Sequence, residues 1–197
     1  MTLVDDTVVK RLGRAEYLPT WQAMREFTRG RNDATPDELW LVEHPPVYTV
    51  GQGAAVPAVG NAIPIVKTDR GGDITYHGPG QAVVYTLVDL ARRGIKVKRF
   101  VWLLEQAVIE VVGRRAARKP GAPGVYVDGA KIAALGIRVV RGRAYHGLAL
   151  NIDMDLAPFA AIDPCGYPGL RVTQARDLGI RVTADQVAQS VLRNLDA

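Results

Sequence analysis

Sulfur chemistry is scarce in this chain: Cys165 is the only cysteine among 197 residues. A lone thiol excludes an internal disulfide and any metal site built from several cysteines. The three histidines, His44, His77 and His146, are far apart and lack metal-ligand spacing, so neither a metal nor a cofactor is expected. No Gly-x-x-x-x-Gly-Lys-Ser/Thr phosphate loop occurs. Long apolar runs are missing as well. Residues 1–10 mix acidic and apolar side chains, so neither a secretory signal nor a membrane span is read there, and a cytoplasmic location is expected. No internal repeat or low-complexity tract interrupts the chain.

What is present suits one domain over residues 1–197, long enough to bury a core unaided. The 25 basic residues outnumber the 20 acidic ones, a net charge of +5. Two stretches concentrate the excess: Arg92, Arg93, Lys96, Lys98 and Arg99, then Arg114, Arg115, Arg118 and Lys119. Such runs are solvated faces or docking patches. No nucleic-acid motif accompanies them and aromatics are not interleaved, so an acidic protein is the better functional partner than nucleic acid.

Periodicity predicts a mixed α/β (α+β) domain, a sheet flanked by helices. A first helix is expected over 16–29, with Tyr17, Trp21, Met24 and Phe27 or Thr28 on one stripe and Pro19 in its first turn. Strands follow at 39–42 and 47–50, separated by two prolines that impose an extended exit. The apolar positions Phe100, Leu103, Leu104, Ala107, Val108, Val111 and Val112 define an amphipathic helix. Asp128-Gly129 signals a two-residue hairpin between strands at 124–127 and 130–140, and a third strand spans 144–151. Residues 152–169, rich in Pro, Asp and Gly, read as a long irregular loop of the functional kind. Two short helices are expected at the C-terminus. Thr173 caps the first and Gly179 ends it; Thr183 and Gln186 have capping-box spacing for the second.

Residues 70–81 draw attention first as a candidate site. They hold four glycines, a proline and a histidine between two apolar runs. That density suits close approach of backbone to a ligand through Gly71, Gly72, Gly78 and Gly80, although a plain turn uses the same residues. Cys165 sits between Pro164, Gly166 and Pro168, a setting that can present a side chain outward, whereas most lone cysteines are small core residues. A thiol needs a base to react at neutral pH. Lys131 is out of place beside Ala130 and the run 132–135. Facing inward it would lose solvation, its pKa would fall, and it could exchange a proton with the thiol; facing outward it would be inert. His77 and His146 remain alternative bases, with His146 as a possible supporting group.

Five blocks then give the chain a likeness: EHPPVYTVG at 43–51, DRGGDITYHGPGQ at 69–81, APGVYVDGAKIAALGIR at 122–138, HGLALNIDMDL at 146–156 and DPCGYPGL at 163–170. Together, in this order, they resemble the lipoyl(octanoyl) transferases. The resemblance implies the fold of biotin and lipoate protein ligases. It also implies transfer of an octanoyl group from octanoyl-acyl carrier protein to a lysine of a lipoyl domain, on 2-oxoacid dehydrogenase complexes and the glycine cleavage H protein. By the same resemblance, Cys165 is the nucleophile that becomes a thioester and Lys131 the general acid/base. Substrate contacts fall on Arg70, Gly71, Gly72, Asp73, Ile74, Thr75, Tyr76 and His77, on Ala134, Leu135 and Gly136, and on Gly147, Leu148 and Ala149. Ala134 stands where many members carry serine. The rival readings are an ATP-dependent lipoate or biotin ligase of the same fold, a Cys-dependent amidotransferase, and a non-catalytic module that binds acyl carriers.

Overall fold

The computed structural model describes residues 7–162 and 169–197. Its frame is a seven-stranded mixed sheet in the order β1 (Val8–Arg14), β2 (Glu38–Glu43), β6 (Gln81–Asp89), β10 (Arg143–Asn151), β9 (Ala130–Val140), β8 (Ala122–Val127) and β7 (Ala116–Lys119). Only the β1–β2 pair is parallel; the rest are antiparallel. A smaller sheet sets β3 (Val47–Val50) between β4 (Ile65–Lys67) and β5 (Ile74–His77).

Side-chain alternation along the strands sends each residue set to one face. Val84, Val88, Leu148 and Leu150 face α2 (Val97–Val112) and α3 (Ala184–Leu195), forming the largest apolar cluster with Phe100 and Leu104. Val83, Tyr85, Leu87, Tyr145 and Ala149 face the opposite way, toward Tyr17 and Met24 of α1 (Tyr17–Gly30). Tyr48, Tyr76, Phe159 and Ile162 build a third cluster around the small sheet. The amphipathic stripe of 100–112 is thus the buried side of α2, and Thr183 and Gln186 form the reciprocal capping box that starts α3.

Several features depart from the sequence expectations. The apolar runs flanking the glycine-rich segment contain strands β4 and β6. Two further strands, β1 and β7, have no counterpart among the expected ones; both are edge strands, β1 mostly exposed and β7 carrying Arg118 and Lys119, so neither shows the alternation that marks a half-buried strand. The glycine-rich run is not all loop, because Ile74–His77 forms β5. In place of the first C-terminal helix there is a single 3-10 turn, Arg176–Leu178, preceded by Ala175 rather than capped by Thr173 and closed by the left-handed Gly179. Thr173 instead gives its backbone N–H to the Lys131 carbonyl. Among the described residues no helix is long and apolar enough to cross a membrane.

Candidate active site

A narrow slot of about 40 Å³ opens on the α1 side of the large sheet. Segments far apart in sequence meet in its wall. Arg70, Gly72, Asp73, Ile74, Thr75 and His77 come from the glycine-rich run, Ala134–Gly136 from β9, and His146, Gly147, Leu148 and Ala149 from β10. Tyr17, Val83 and Tyr85 complete it, and the sequence reading had assigned Tyr17 only to a core stripe. Two predicted contacts lie elsewhere. Tyr76 points to the other side of β5 and packs on Tyr48 and Phe159. Gly71 sits at the lip, where its N–H donates to the Ile137 carbonyl at 2.9 Å. Of the four glycines expected to admit a ligand, only Gly72 lines the slot; Gly80 instead turns the chain at φ +84° against the backbone of Asp153. At Gly147 a Cβ would stand 2.1 Å from the Val84 carbonyl, so β10 can approach β6 there only without a side chain.

The slot is lined by buried polar groups held neutral or paired. His77 is pushed down to about 3 by burial, with His44 adding to the effect. Gln81 spends its amide N–H groups on the Tyr76 carbonyl and Asn151, so its oxygen accepts from His77 Nδ1 at 2.7 Å, which fixes the tautomer. His44 donates from Nδ1 to the Ala15 carbonyl and accepts the Tyr85 hydroxyl at Nε2, 2.7 Å away. Burial lowers its pKa too. Arg70 is clamped onto Thr49, its Nη2 2.5 Å from the carbonyl and 2.9 Å from the hydroxyl.

His146 is the strained member of the group, with φ +63° and almost no exposure. Non-glycine residues in that region persist only where their surroundings hold them. Here Asp69 does so, accepting His146 Nε2 at 2.8 Å along with the Trp21 indole and the Tyr145 hydroxyl. Those donors outweigh the opposing effect of burial and hold the Asp69 carboxyl well below the usual carboxylate range. Burial keeps His146 low, while its Nδ1 is enclosed without a hydrogen-bond partner. Asp69 heads one of the motif blocks, but no residue signal alone singled it out.

Beside the slot β8 and β9 part company. Their pairing ends at Val125–Ala133. Beyond it Gly124 adopts φ +138° and Pro123 has no N–H to offer a ladder. A cavity of about 320 Å³ fills the gap, bounded by Ala122 and Pro123, by Leu135–Ile137, and by Gly71–Asp73. It shares Gly72, Asp73, Leu135 and Gly136 with the slot, so the two spaces adjoin.

Lys131 stands behind the wall of this gap, against Pro123. It is 3% exposed, so it faces inward, the orientation in which its charge is costly. Its Nζ donates to the Pro123 carbonyl at 3.2 Å and lies 5.2 Å from the centre of the Tyr126 ring. The Lys131 backbone pairs with the chain that follows the long loop: its N–H donates to Arg171 and its carbonyl accepts from Thr173. Cys165 lies outside the described residues, six positions before Arg171 in sequence.

The fold has counterparts of known structure. Lipoate-protein ligase A bound with ATP superposes with a TM-score of 0.74 at 15% identity, over 97% of this chain and 84% of that one. Biotin protein ligase from Aquifex aeolicus, in complex with biotin and ATP, does so with a TM-score of 0.59 at 10% identity, over 97% and 69%. Sequence carries the assignment further. Residues 16–196 match the lipoyl protein ligase A/B catalytic domain, and the chain belongs to that family. It is 62% identical over 188 residues to the octanoyltransferase of Aromatoleum aromaticum, covering 92% of this chain and 79% of that protein. To the octanoyltransferase of Dechloromonas aromatica it is 56% identical over 198 residues, covering 96% and 97%.

Proposed function

We propose that this protein is an octanoyltransferase acting in protein lipoylation, with octanoyl-acyl carrier protein as donor, lysines of lipoyl domains as acceptors and Cys165 and Lys131 as its reacting pair. The observation that carries this reading is the buried Lys131 behind the wall of a gap that adjoins a slot built from the three motif segments. High identity to named octanoyltransferases over nearly the whole chain supports the activity. The likeness to ATP-bound ligases is a likeness of fold.

In this mechanism a neutral Lys131 amine takes the Cys165 proton, and the thiolate attacks the thioester carbonyl of the donor. The carbon–sulfur bond to the carrier breaks, and Lys131 returns the proton to the departing carrier thiolate. In the second half the acceptor lysine attacks the Cys165 thioester, Lys131 takes the amine proton, and the thiol leaves. Exchange of one thioester for another is nearly isoenergetic and amide formation from a thioester runs downhill, so the cycle needs no ATP.

The oxyanion has a natural donor. In an antiparallel strand the N–H and carbonyl of one residue point to the same edge, and residues two apart share it. Ile137 offers its carbonyl to Gly71, away from β10. The Leu135 N–H therefore faces the same edge, where β8 has diverged. The Leu135 N–H, rather than that of its neighbour Gly136, meets the tetrahedral oxygen, a contact of the kind worth about 3 kcal/mol in the transition state. A medium-length acyl tail needs more room than the slot of about 40 Å³, so it would run through the adjoining gap of about 320 Å³, whose walls include Val101, Leu135 and Ile137. A cytoplasmic setting fits substrates carried on soluble proteins.

Intact mass measurement after mixing with octanoyl-carrier tests the reading. An octanoyl adduct on Cys165, lost on adding a lipoyl domain, is expected. Cys165→Ala abolishes it, and Lys131→Ala slows its formation by orders of magnitude. Efficient transfer from free octanoic acid and ATP without carrier would instead select the ligase.

A further inference from the structure

A second cavity, of about 460 Å³, lies on the same sheet face as the slot and is walled by Arg25, Arg29, Arg138, Arg141 and Arg143. One carboxylate, Asp69, stands among these five guanidinium groups. It is firmly ionised and offsets one of the five positive charges, while its oxygens are engaged by Trp21, Tyr145 and His146 rather than by the arginines. Arg25 reaches it only at 3.8 Å. Arg138 spends one donor on the neutral Gln52. Arg29 and Arg141 meet no carboxylate among the described residues, and both are exposed. Arg143 is committed to the Arg31 carbonyl, to Asp89 and, at 3.9 Å, to Asp33.

The cavity and the slot share three seams. Asp69 belongs to the cavity and Arg70 to the slot; Tyr145 belongs to the cavity and His146 to the slot. On β9, Gly136 of the slot and Arg138 of the cavity lie two residues apart on the same face, roughly 7 Å along the strand.

We propose that this arginine cavity receives the phosphate group of the donor's prosthetic arm. Acyl carriers hold their thioester at the end of a phosphopantetheine chain, a flexible tether with one phosphodiester. A concave set of planar guanidinium forks suits a phosphate, whose oxygens accept paired N–H donors. The adjoining slot takes the acyl end of the same molecule. This assignment rests on the reading of the protein as a thioester-dependent transferase and adds to it the anchor for the donor.

The test compares three octanoyl donors: the loaded carrier, octanoyl-phosphopantetheine and octanoyl-pantetheine, the last without phosphate. Initial rates are followed with each donor varied at saturating lipoyl domain, and with lipoyl domain varied at saturating loaded carrier, for the wild-type protein and for Arg29→Gln/Arg141→Gln. The wild-type protein should prefer octanoyl-phosphopantetheine to octanoyl-pantetheine by about tenfold in kcat/KM, a ratio expected for charge-assisted contacts. In the double variant that preference should collapse, and KM for the loaded carrier should rise by a similar factor. Three results would overturn the assignment. One is an unchanged donor preference in the variant. Another is loss confined to the loaded carrier, which would give the cavity to the carrier's acidic surface. The third is a rise only in the lipoyl domain's KM, which would give it to the acceptor. Transfer by the wild-type protein from none of the three donors would instead fail the transferase reading itself.

Discussion

Two arginine-rich regions of this molecule use the same side chain to opposite ends. Around Asp37 the arginines are engaged. Arg31, with no side-chain exposure, Arg92 and Arg93 all converge on that carboxylate at 2.6 Å, and the Asp89 N–H joins them. Burial works against the charged carboxylate, but these donors prevail and hold it below its ordinary range. The knot ties the end of α1 to β2, to the end of β6 and, through Arg93 and Asp196, to the C-terminus. Around Asp69 the charge accumulates, because five arginines line the cavity with that single carboxylate, whose oxygens are engaged by neutral donors. What separates the two is the partner of the carboxylate. A carboxylate given to arginine makes structure, whereas one given to Trp, Tyr and His leaves arginine available.

The contrast can be broken most forcefully at Asp37. Asp37→Ala leaves Arg31 buried without a counter-charge and should cost about 3–5 kcal/mol in denaturant unfolding. Activity per folded molecule should change little, because Asp37 lines neither the slot nor the gap beside it; a loss under about 1 kcal/mol would remove the distinction. Asp69→Asn is intermediate. It keeps one acceptor oxygen but loses charge-assisted bonds, for about 1–3 kcal/mol by the same unfolding measurement.

pH sharpens the comparison. Asp37 and Asp69 both have folded pKa values below the unfolded one. Their contributions are therefore complete above about pH 4, the ordinary Asp range, and are lost as pH falls through the lower folded values. Asp69→Asn should flatten that acid limb without abolishing it, as followed by urea midpoints between neutral pH and acid. The smallest effect belongs to Arg29→Gln/Arg141→Gln, expected to move stability by less than about 0.5 kcal/mol in a thermal or urea melt. A large destabilisation there would show that those arginines are structural after all.

These regions also mark where sequence reading succeeds and where it stops. The runs 92–99 and 114–119 stand out as basic in one dimension, yet Arg92 and Arg93 turn onto Asp37. Arg115 pairs with Asp128, and Arg118 with Glu105. The cavity charge is assembled from Arg25 and Arg29 of α1 and from Arg138, Arg141 and Arg143, which run from β9 to the start of β10, two basic stretches whose meeting only the fold reveals. Local signals carried further. The α2 stripe, the Asp128-Gly129 hairpin and the Thr183 capping box all correspond to observed elements, since each depends on neighbours within a few positions. Edge strands β1 and β7 escaped because their pairing partners, not their own pattern, make them strands. Much of the slot was legible as motif blocks, whereas Tyr17 and Tyr85 entered it only through packing of α1 on the sheet.

The parting of β8 from β9 has one more consequence. The Pro123 carbonyl accepts from the Lys131 side chain, and its nitrogen carries no hydrogen for a ladder beyond Val125–Ala133. With Gly124 at φ +138° beside it, β8 leaves the Leu135 edge of β9 unpaired by that strand. A hydrogen atom that proline does not possess thus acts as a doorstop, and the breadth of the doorway is written in the main chain rather than in the groups that surround it.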